Sequence, residues 1–225
     1  MESATRDKNA IPNDSSVVIE GSALSMPSKF ILVRRYFDNG GKTVFVSSGA
    51  KYHTDIYNAF VEGDSNVHGK ATALGGGRFY KDDVDKTLIV WGTSDGLGSS
   101  DYNTVKELLH NKYKDFCIIV IPWLDKGSLK DKIMSGTATS DINYLRYNLN
   151  ELGVDSELFD GKTALHVAAM FGEKPAARCI LDMGANQGIR DLRGRTPMDI
   201  AKMHAYADPD KYSGVLFVLD STEKG

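Results

Sequence analysis

Three glycines in this 225-residue chain lie where backbone groups could hold an anion. Gly92, Gly96 and Gly98 belong to the segment KTLIVWGTSDGLGS, between a predicted strand and a predicted helix. Backbone N–H groups and the positive end of a helix dipole converge at such a junction and can bind a phosphate or another oxyanion. The segment lacks the Gly-Lys-Ser/Thr of a Walker A loop and the spacing of GxGxxG, so a plain strand-to-helix connection is the alternative interpretation.

A candidate base and a candidate cation accompany these glycines. His53 stands near the start of a predicted helix, where the dipole disfavours a positive imidazole. We therefore expect the pKa of His53 to lie below its ordinary value, which makes the neutral ring available as a base, although a structural role is the alternative. The string ALGGGR predicts a tight approach of backbone at Gly75, Gly76 and Gly77, in a turn with Arg78 directly after it.

The elements that must position these residues alternate between strand and helix. Runs rich in Val, Ile and Phe predict strands, namely SSVVIE, KFILVRRYF, KTVFVS, KTLIVWG and DFCIIVIPW. Helical periodicity marks residues 51–63, with the serine pair 47–48 as candidate N-cap, and residues 99–113, with the pair 99–100. This pattern predicts an α/β domain, a mixed sheet with flanking helices, at residues 16–124. Residues 1–15 are predicted to be a flexible N-terminus.

The segment after this domain repeats itself. Pairs of equivalent positions lie 33 residues apart, namely Gly161 and Gly194, Thr163 and Thr196, and Ala168 and Ala201. This is the period of ankyrin repeats. We expect an all-α domain of about three ankyrin repeats at residues 128–222, with the first and last copies atypical. His166 is then expected to support hydrogen bonds between repeats, whereas His110 and His204 are expected on helix surfaces.

Composition excludes several classes of partner. The formal net charge is -3, with 27 basic and 30 acidic residues, and no basic block occurs, so neither nucleic acid nor a membrane is expected as a partner. The sequence shows neither a spanning apolar stretch nor the apolar region of a secretion signal, which predicts a cytoplasmic protein. Cys117 and Cys179 lie in apolar runs and are expected to be buried rather than to bind a metal.

Several strings together resemble the phosphohistidine phosphatase (janus) family. They are YHTDIY at 52–57, ALGGGR at 73–78, KTLIVWGTSDGLG at 86–98 and TVKELLHNKYKDF at 104–116. Their order and spacing are similar to the family's over about residues 15–121. The resemblance implies a small mixed α/β domain that removes phosphate from phosphohistidine in proteins, without a metal or a cofactor.

The resemblance also implies roles for individual residues. The family's catalytic base matches His53, which would deprotonate a water molecule or attack phosphorus directly, and the sequence does not separate these routes. Phosphate would be held through side chains, through backbone N–H groups of the loop and through a serine hydroxyl. The matching positions are Lys29, Arg78, Ser94, Asp95 and Gly96.

Two positions depart from the family pattern. Phe45 stands where the resemblance implies an arginine, whose loss would remove a charge-assisted contact of about 1.5 to 3 kcal/mol. Phe45→Arg is therefore expected to lower the KM for a phosphohistidine peptide. Asp95 places a negative charge where the family has a neutral residue. Two hypotheses follow: a protein-histidine phosphatase whose ankyrin repeats bind proteins, or a weak or inactive phospho-binding scaffold that acts through its repeats.

Overall fold

The computed structural model describes most of the chain. The described residues are 17–19, 27–37, 40–48, 52–62, 71–94, 96–98, 100–121 and 129–221. The chain divides into two compact units, Met1–Pro122 and Trp123–Gly225. Asp95 and the predicted flexible N-terminus, residues 1–15, lie outside the described residues.

The first unit is built on one mixed sheet, as the sequence predicts. Its strands are β1 (Val17–Ile19), β2 (Ser28–Phe37), β3 (Gly40–Ser48), β4 (Ala71–Asp82), β5 (Thr87–Trp91) and β6 (Cys117–Val120). Their order is β1-β3-β2-β4-β5-β6, in which β1 pairs parallel with β3 and β5 parallel with β6, while the other pairs are antiparallel.

One helix covers each face of this sheet. Helix α1 (His53–Glu62) packs on the face that carries Ile31 and Val33 of β2, and helix α2 (Tyr102–Lys112) packs on the opposite face. Successive residues of a strand point to opposite faces, so the alternation of apolar residues along β2 supplies both cores. The same alternation decides which residues of β2 and β4 can reach the N-terminus of α1.

Strand β4 is the element that the sequence pattern does not predict. The string ALGGGR, predicted to be a tight turn, lies inside β4 and pairs with β2 on one side and with β5 on the other. Glycines in a strand suggest a turn, but they also permit close approach of another backbone. An added Cβ would lie 2.7 Å from the Phe30 carbonyl oxygen at Gly76 and 2.8 Å from the Trp91 carbonyl oxygen at Gly77. The turn prediction was therefore wrong, and Arg78 lies within a strand.

The predicted N-caps were also wrong. Helix α2 is capped by Asp101, whose carboxylate accepts a hydrogen bond from the Asn103 N–H at 3.2 Å, and not by the serine pair 99–100. A carboxylate caps well because it also interacts favourably with the helix dipole. The serines proposed as the cap of α1 belong to β3, where the Ser47 hydroxyl donates to the Lys29 carbonyl oxygen at 2.5 Å.

The two cysteines differ in exposure. Cys179 is buried, as expected, but Cys117 is exposed, so the prediction for Cys117 was wrong. Cys117 begins β6, which is an edge strand of the sheet. An apolar run predicts a strand but does not tell an edge strand, with its greater access to solvent, from a central one.

The second unit consists of three successive helix pairs, as expected for ankyrin repeats. Its helices are α3 (Leu129–Thr139), α4 (Ile142–Leu152), α5 (Ala164–Phe171), α6 (Lys174–Asp182), α7 (Pro197–Ala205) and α8 (Pro209–Ser221). Each pair buries apolar residues against its neighbours, and every residue of α5 is buried. Stacking of this kind is how thin repeats obtain a core.

A buried polar network connects the second and third helix pairs. His166 Nδ1 accepts a hydrogen bond from the Thr163 N–H at 3.2 Å, and Nε2 donates to the Arg195 carbonyl oxygen at 3.1 Å. This confirms the predicted inter-repeat role of His166. Asp191 lies beside it, paired with Lys162 at 3.0 Å and with Arg195 at 2.8 Å. Although burial alone would raise the pKa of Asp191, these two cations hold it well below its usual range.

His204 is buried, so its predicted place on a helix surface was wrong. Its Nδ1 donates to the Ile200 carbonyl oxygen at 2.9 Å, and its ring stacks on Tyr212 with centroids 5.3 Å apart. Position in a helical repeat does not by itself reveal that α8 covers this face of α7. His110 on α2 is exposed, as expected.

We expect acid to weaken the second unit through His166. Burial lowers the pKa of His166, so below about pH 6.5 the unfolded chain binds a proton that the folded chain does not, and stability falls as pH falls. His166→Gln should shrink the difference in the free energy of unfolding between pH 7.5 and pH 5.5. Urea unfolding of the full chain, monitored through the NMR signals of residues 160–196, measures this difference. An unchanged difference would contradict the assignment.

Candidate active site

A pocket of about 260 Å³ lies beside the end of β5 in the first unit. The residues that line it are Lys29, Tyr52, His53, Thr54, Arg78, Thr93, Ser94 and Gly96. The structure therefore brings together the proposed base and four of the five proposed phosphate-binding residues. The remaining one, Asp95, lies outside the described residues.

Two cations enter the pocket from neighbouring strands. Lys29 of β2 lies directly opposite Arg78 of β4 in the antiparallel register. Register partners project to the same face of a sheet, here the face covered by α1. Both side chains are half-buried, so their charges act in a medium less polarisable than bulk water. Together they make this pocket attractive to an anion.

A hydrogen bond to the backbone of β4 orients the ring of His53. Its Nε2 lies 2.9 Å from the carbonyl oxygen of Gly77. A carbonyl oxygen only accepts, so Nε2 carries a proton, and in the neutral ring Nδ1 is the basic nitrogen. The ring fits in this position because Gly76 has no side chain. A Cβ added to Gly76 would lie 2.9 Å from His53 Cδ2.

The loop after β5 closes on itself and on β4. The Ser94 N–H donates to the Gly98 carbonyl oxygen at 3.2 Å, and the Gly98 N–H donates back to the Ser94 carbonyl oxygen at 2.8 Å. The Gly76 N–H also donates to the Gly98 carbonyl oxygen, at 3.1 Å. The Ser94 N–H already has an acceptor within the loop, so the contact of this amide with phosphate stays a prediction that requires its bond to Gly98 to be exchanged.

Two other groups of this loop can meet an anion. The Ser94 hydroxyl accepts the Leu97 N–H at 3.1 Å and so retains its own proton as a donor. Gly96 faces open space as far as the described residues go, because none of their heavy atoms lies within 4 Å of an added Cβ. A ligand can thus approach the backbone of Gly96 closely.

The helix N-terminus at the pocket belongs to α1, not to α2 as the strand–loop–helix pattern predicted. Tyr52, His53 and Thr54 line the pocket, and the first intrahelical bond runs from the Ile56 N–H to the Tyr52 carbonyl oxygen. The first N–H groups of a helix have no acceptor within it, and they carry the positive end of its dipole. At α2 the corresponding position is occupied by the carboxylate of Asp101.

Sequence reasoning missed Tyr52, Thr54 and Thr93 as pocket residues. The first two flank His53 in the chain, so their proximity to the base was a usable signal. Thr93 directly precedes Ser94, but no chemical pattern in the sequence marks it.

Phe45 does not face this pocket. It pairs with Leu32 in the register of β3 and β2, and both belong to the core on the α2 side of the sheet. Lys29 lies an odd number of residues from Leu32 and therefore projects to the opposite face. The expectation that an arginine at position 45 would contact phosphate is wrong for this structure.

Gly76→Ala should strongly reduce any activity of the pocket. The new Cβ would lie 2.7 Å from the Phe30 carbonyl oxygen, 2.9 Å from His53 Cδ2 and 3.3 Å from Ser94 Cβ, so the site must shift. Displacement of a catalytic group by about 1 Å can cost roughly 100-fold in rate. Phosphate release from a phosphohistidine peptide measures the loss. Thr72→Ala, at an exposed position of the same strand, is the control, and equal rates for the two variants would contradict the expectation.

The described ranges contain neither a cluster of metal-ligating side chains nor a helix that could span a membrane. No group of three or more His, Cys, Asp or Glu side chains there is arranged to hold a metal ion. None of the helices in the same ranges has the length and apolar composition that crossing a membrane requires.

Comparison with known proteins gives a match for each unit. Residues 16–117 match the Janus/Ocnus family (Ocnus), and residues 160–192 match the ankyrin repeat. The sex-regulated protein janus-A of Drosophila melanogaster is 31% identical over 93 residues, which cover 40% of this chain and 68% of that protein. The 14 kDa phosphohistidine phosphatase of Sus scrofa is 34% identical over 79 residues, 35% of this chain and 60% of that protein.

The ankyrin segment has its own relatives. Rabankyrin-5 of Homo sapiens is 43% identical over 47 residues, which are 21% of this chain. The matched segment is 4% of the length of Rabankyrin-5. The similarity therefore concerns the repeats and does not extend to the rest of that protein.

Proposed function

We propose that this chain, which belongs to the Janus/Ocnus family, hydrolyses phosphohistidine in proteins without a metal. The observation that carries the proposal is the pocket, which is lined by a histidine whose Nε2 is bonded to the Gly77 carbonyl oxygen, by two cations, by a hydroxyl and by a helix N-terminus. The phosphatase from Sus scrofa is a relative whose name states this activity, whereas the janus-A proteins are named without one.

The charges of the pocket suit a phosphoryl group. Lys29 and Arg78 would each contact a phosphoryl oxygen, Arg78 through two parallel N–H groups. The Ser94 hydroxyl, the Gly96 N–H and the first N–H groups of α1 would hold the others. These donors are fixed by the sheet and the loop before substrate arrives, so little reorganisation is needed as charge develops.

Hydrolysis of the N–P bond requires few catalytic groups beyond those that hold the phosphoryl group. Phosphoryl transfer passes through a loose transition state, and the N–P bond of a phosphoramidate is labile, so positioning and charge stabilisation account for most of the catalysis. In one route His53 Nδ1 takes a proton from water, the water oxygen bonds to phosphorus, and the substrate's imidazole, protonated on its other ring nitrogen, leaves as a neutral ring with the N–P electron pair. In the other, His53 Nδ1 bonds to phosphorus while the substrate's N–P bond breaks and the substrate's imidazole leaves with that electron pair, and water then attacks phosphorus and releases phosphate from His53.

The ankyrin repeats indicate protein–protein interaction. We propose that they bind either the phosphohistidine-containing protein itself or another protein that brings the substrate to the pocket. The buried His166 and Asp191 network keeps the turn between the second and third helix pairs rigid, which lowers the entropic cost of binding through that turn. A cytoplasmic location stays a prediction of the sequence.

Phosphate release and binding, measured together, test the proposal. Purified full-length protein is incubated with a phosphohistidine peptide in EDTA, and calorimetry measures binding of a hydrolysis-resistant phosphohistidine peptide analogue. Release above the enzyme-free rate supports the phosphatase. Binding without release would replace it with a phospho-binding scaffold, and absence of both would reject any role of the pocket in phosphohistidine recognition.

A further inference from the structure

Tyr52 is a pocket residue to which the proposed chemistry gives no role. Its side chain lines the pocket, directly precedes His53, and is nevertheless 53% exposed. A tyrosine at a binding site offers a large, rigid contact surface at a small cost in conformational entropy. Its position at the edge of the pocket therefore suits contact with the part of the substrate that lies outside the phosphoryl site.

Lys29 connects the Tyr52 ring to the proposed phosphoryl site. The Lys29 ammonium lies 5.5 Å from the centroid of the Tyr52 ring, within the range of a cation–π interaction. Lys29 is half-buried and belongs to β2, so the ring is held against a rigid element rather than against a loop. The cation that would contact the phosphoryl oxygens and the ring at the edge of the pocket thus have a fixed relation to each other.

The substrate's own geometry limits where its ring can lie. In phosphohistidine the phosphorus is bonded directly to an imidazole nitrogen, so the ring must lie beside the phosphoryl group when Lys29 and Arg78 hold it. Among the described residues that line the pocket, His53 and Tyr52 carry the aromatic rings. The ring of His53 is hydrogen-bonded to the Gly77 carbonyl oxygen and acts as the proposed base or nucleophile. Tyr52 is the ring against which the substrate's imidazole can stack.

We propose that Tyr52 is a substrate-binding platform that stacks on the imidazole of phosphohistidine and so selects it over phosphoramidates with aliphatic leaving groups, such as phospholysine. An aliphatic amine bonded to phosphorus presents no ring and gains nothing from this contact. The inference rests on the proposed function, because it concerns the substrate of the same pocket.

Binding to Tyr52 variants tests this platform separately from catalysis. Calorimetry compares wild type, Tyr52→Leu and Tyr52→Phe with two probes, a phosphohistidine peptide analogue that carries a triazolyl phosphonate, and inorganic phosphate. We expect Tyr52→Leu to raise the Kd for the analogue by about two- to tenfold and to leave that for phosphate unchanged, because aromatic pairs are worth that much. Tyr52→Phe keeps the ring and should bind like wild type. Tyr36→Leu, at an exposed tyrosine of β2 that does not line the pocket, is the matched control.

Each outcome decides between the claims. An equal rise in Kd for both probes would show that Tyr52 acts by holding Lys29, and no rise for either would show that it does not touch ligand; both overturn the platform. If wild type binds the analogue through Tyr52 but releases no phosphate from a phosphohistidine peptide, the proposed phosphatase falls and the platform stands. If it releases phosphate while Tyr52→Leu binds normally, the platform falls and the phosphatase stands. A wild type that does not bind the analogue overturns both.

Discussion

Replacing His53 with alanine is expected to lower phosphate release from a phosphohistidine peptide by about 100- to 10,000-fold, the usual contribution of a general base. The loss would be larger if His53 is the nucleophile, because no other residue then forms the intermediate. The fold should persist, because the side chain is only half-buried and lies outside the two apolar cores of the sheet. The measurement is the rate of phosphate release at pH 7.5 with EDTA present.

The matched control for this substitution is His110→Ala. His110 lies on the exposed side of α2 and outside the pocket, so its loss should leave the rate at the wild-type value. Circular dichroism of both variants verifies that they fold. If His53→Ala retains the wild-type rate while folded, the assignment of the base is wrong, whatever the other pocket residues do.

Phe45→Arg is expected to destabilise the first unit by more than about 5 kcal/mol, which is the sum of a lost core aromatic and a buried charge. The Phe45 side chain has 0% exposure. It stacks on Phe30 with centroids 4.6 Å apart and meets Phe79 edge-on at 5.5 Å. A guanidinium in this position would lack both water and a counter-charge among its neighbours in the core cluster. Urea unfolding of the full chain measures the loss, and the same substitution should not improve KM.

Phe45→Leu keeps the position apolar and supplies the comparison. It should cost about 1 to 2 kcal/mol in stability, because part of a large apolar side chain is removed. It should leave KM unchanged, because position 45 lies on the face of the sheet opposite Lys29 and Arg78. A folded Phe45→Arg protein with a lowered KM would contradict this placement, as would a changed KM in Phe45→Leu.

Patterns in the sequence were sufficient to predict most elements of the fold. The apolar run KFILVRRYF predicted strand β2, and the 33-residue period predicted the ankyrin helices that the structure shows. Strand β4 was not predicted because its glycines weaken any strand pattern. They are there to allow the approach of Phe30 and Trp91, and that reason is visible only when the neighbouring strands are in place.

The site was predictable in its composition but not in its contacts. His53, Lys29, Arg78 and the loop at Ser94 were identified from the family resemblance, and the structure brings them together. That the Ser94 amide is already bonded to Gly98 depends on how the loop closes, which residue types alone do not fix. The placement of Phe45 depends in the same way on the register between β2 and β3, since a shift of one residue would reverse its face.

Release of phosphate from a phosphohistidine peptide by the full-length protein in EDTA tests the central claim most directly. The claim predicts a rate above that of spontaneous hydrolysis, proportional to protein concentration and unaffected by the chelator. A rate equal to the enzyme-free control, from protein whose circular dichroism shows it to be folded, would contradict the claim that this pocket is a phosphohistidine phosphatase site.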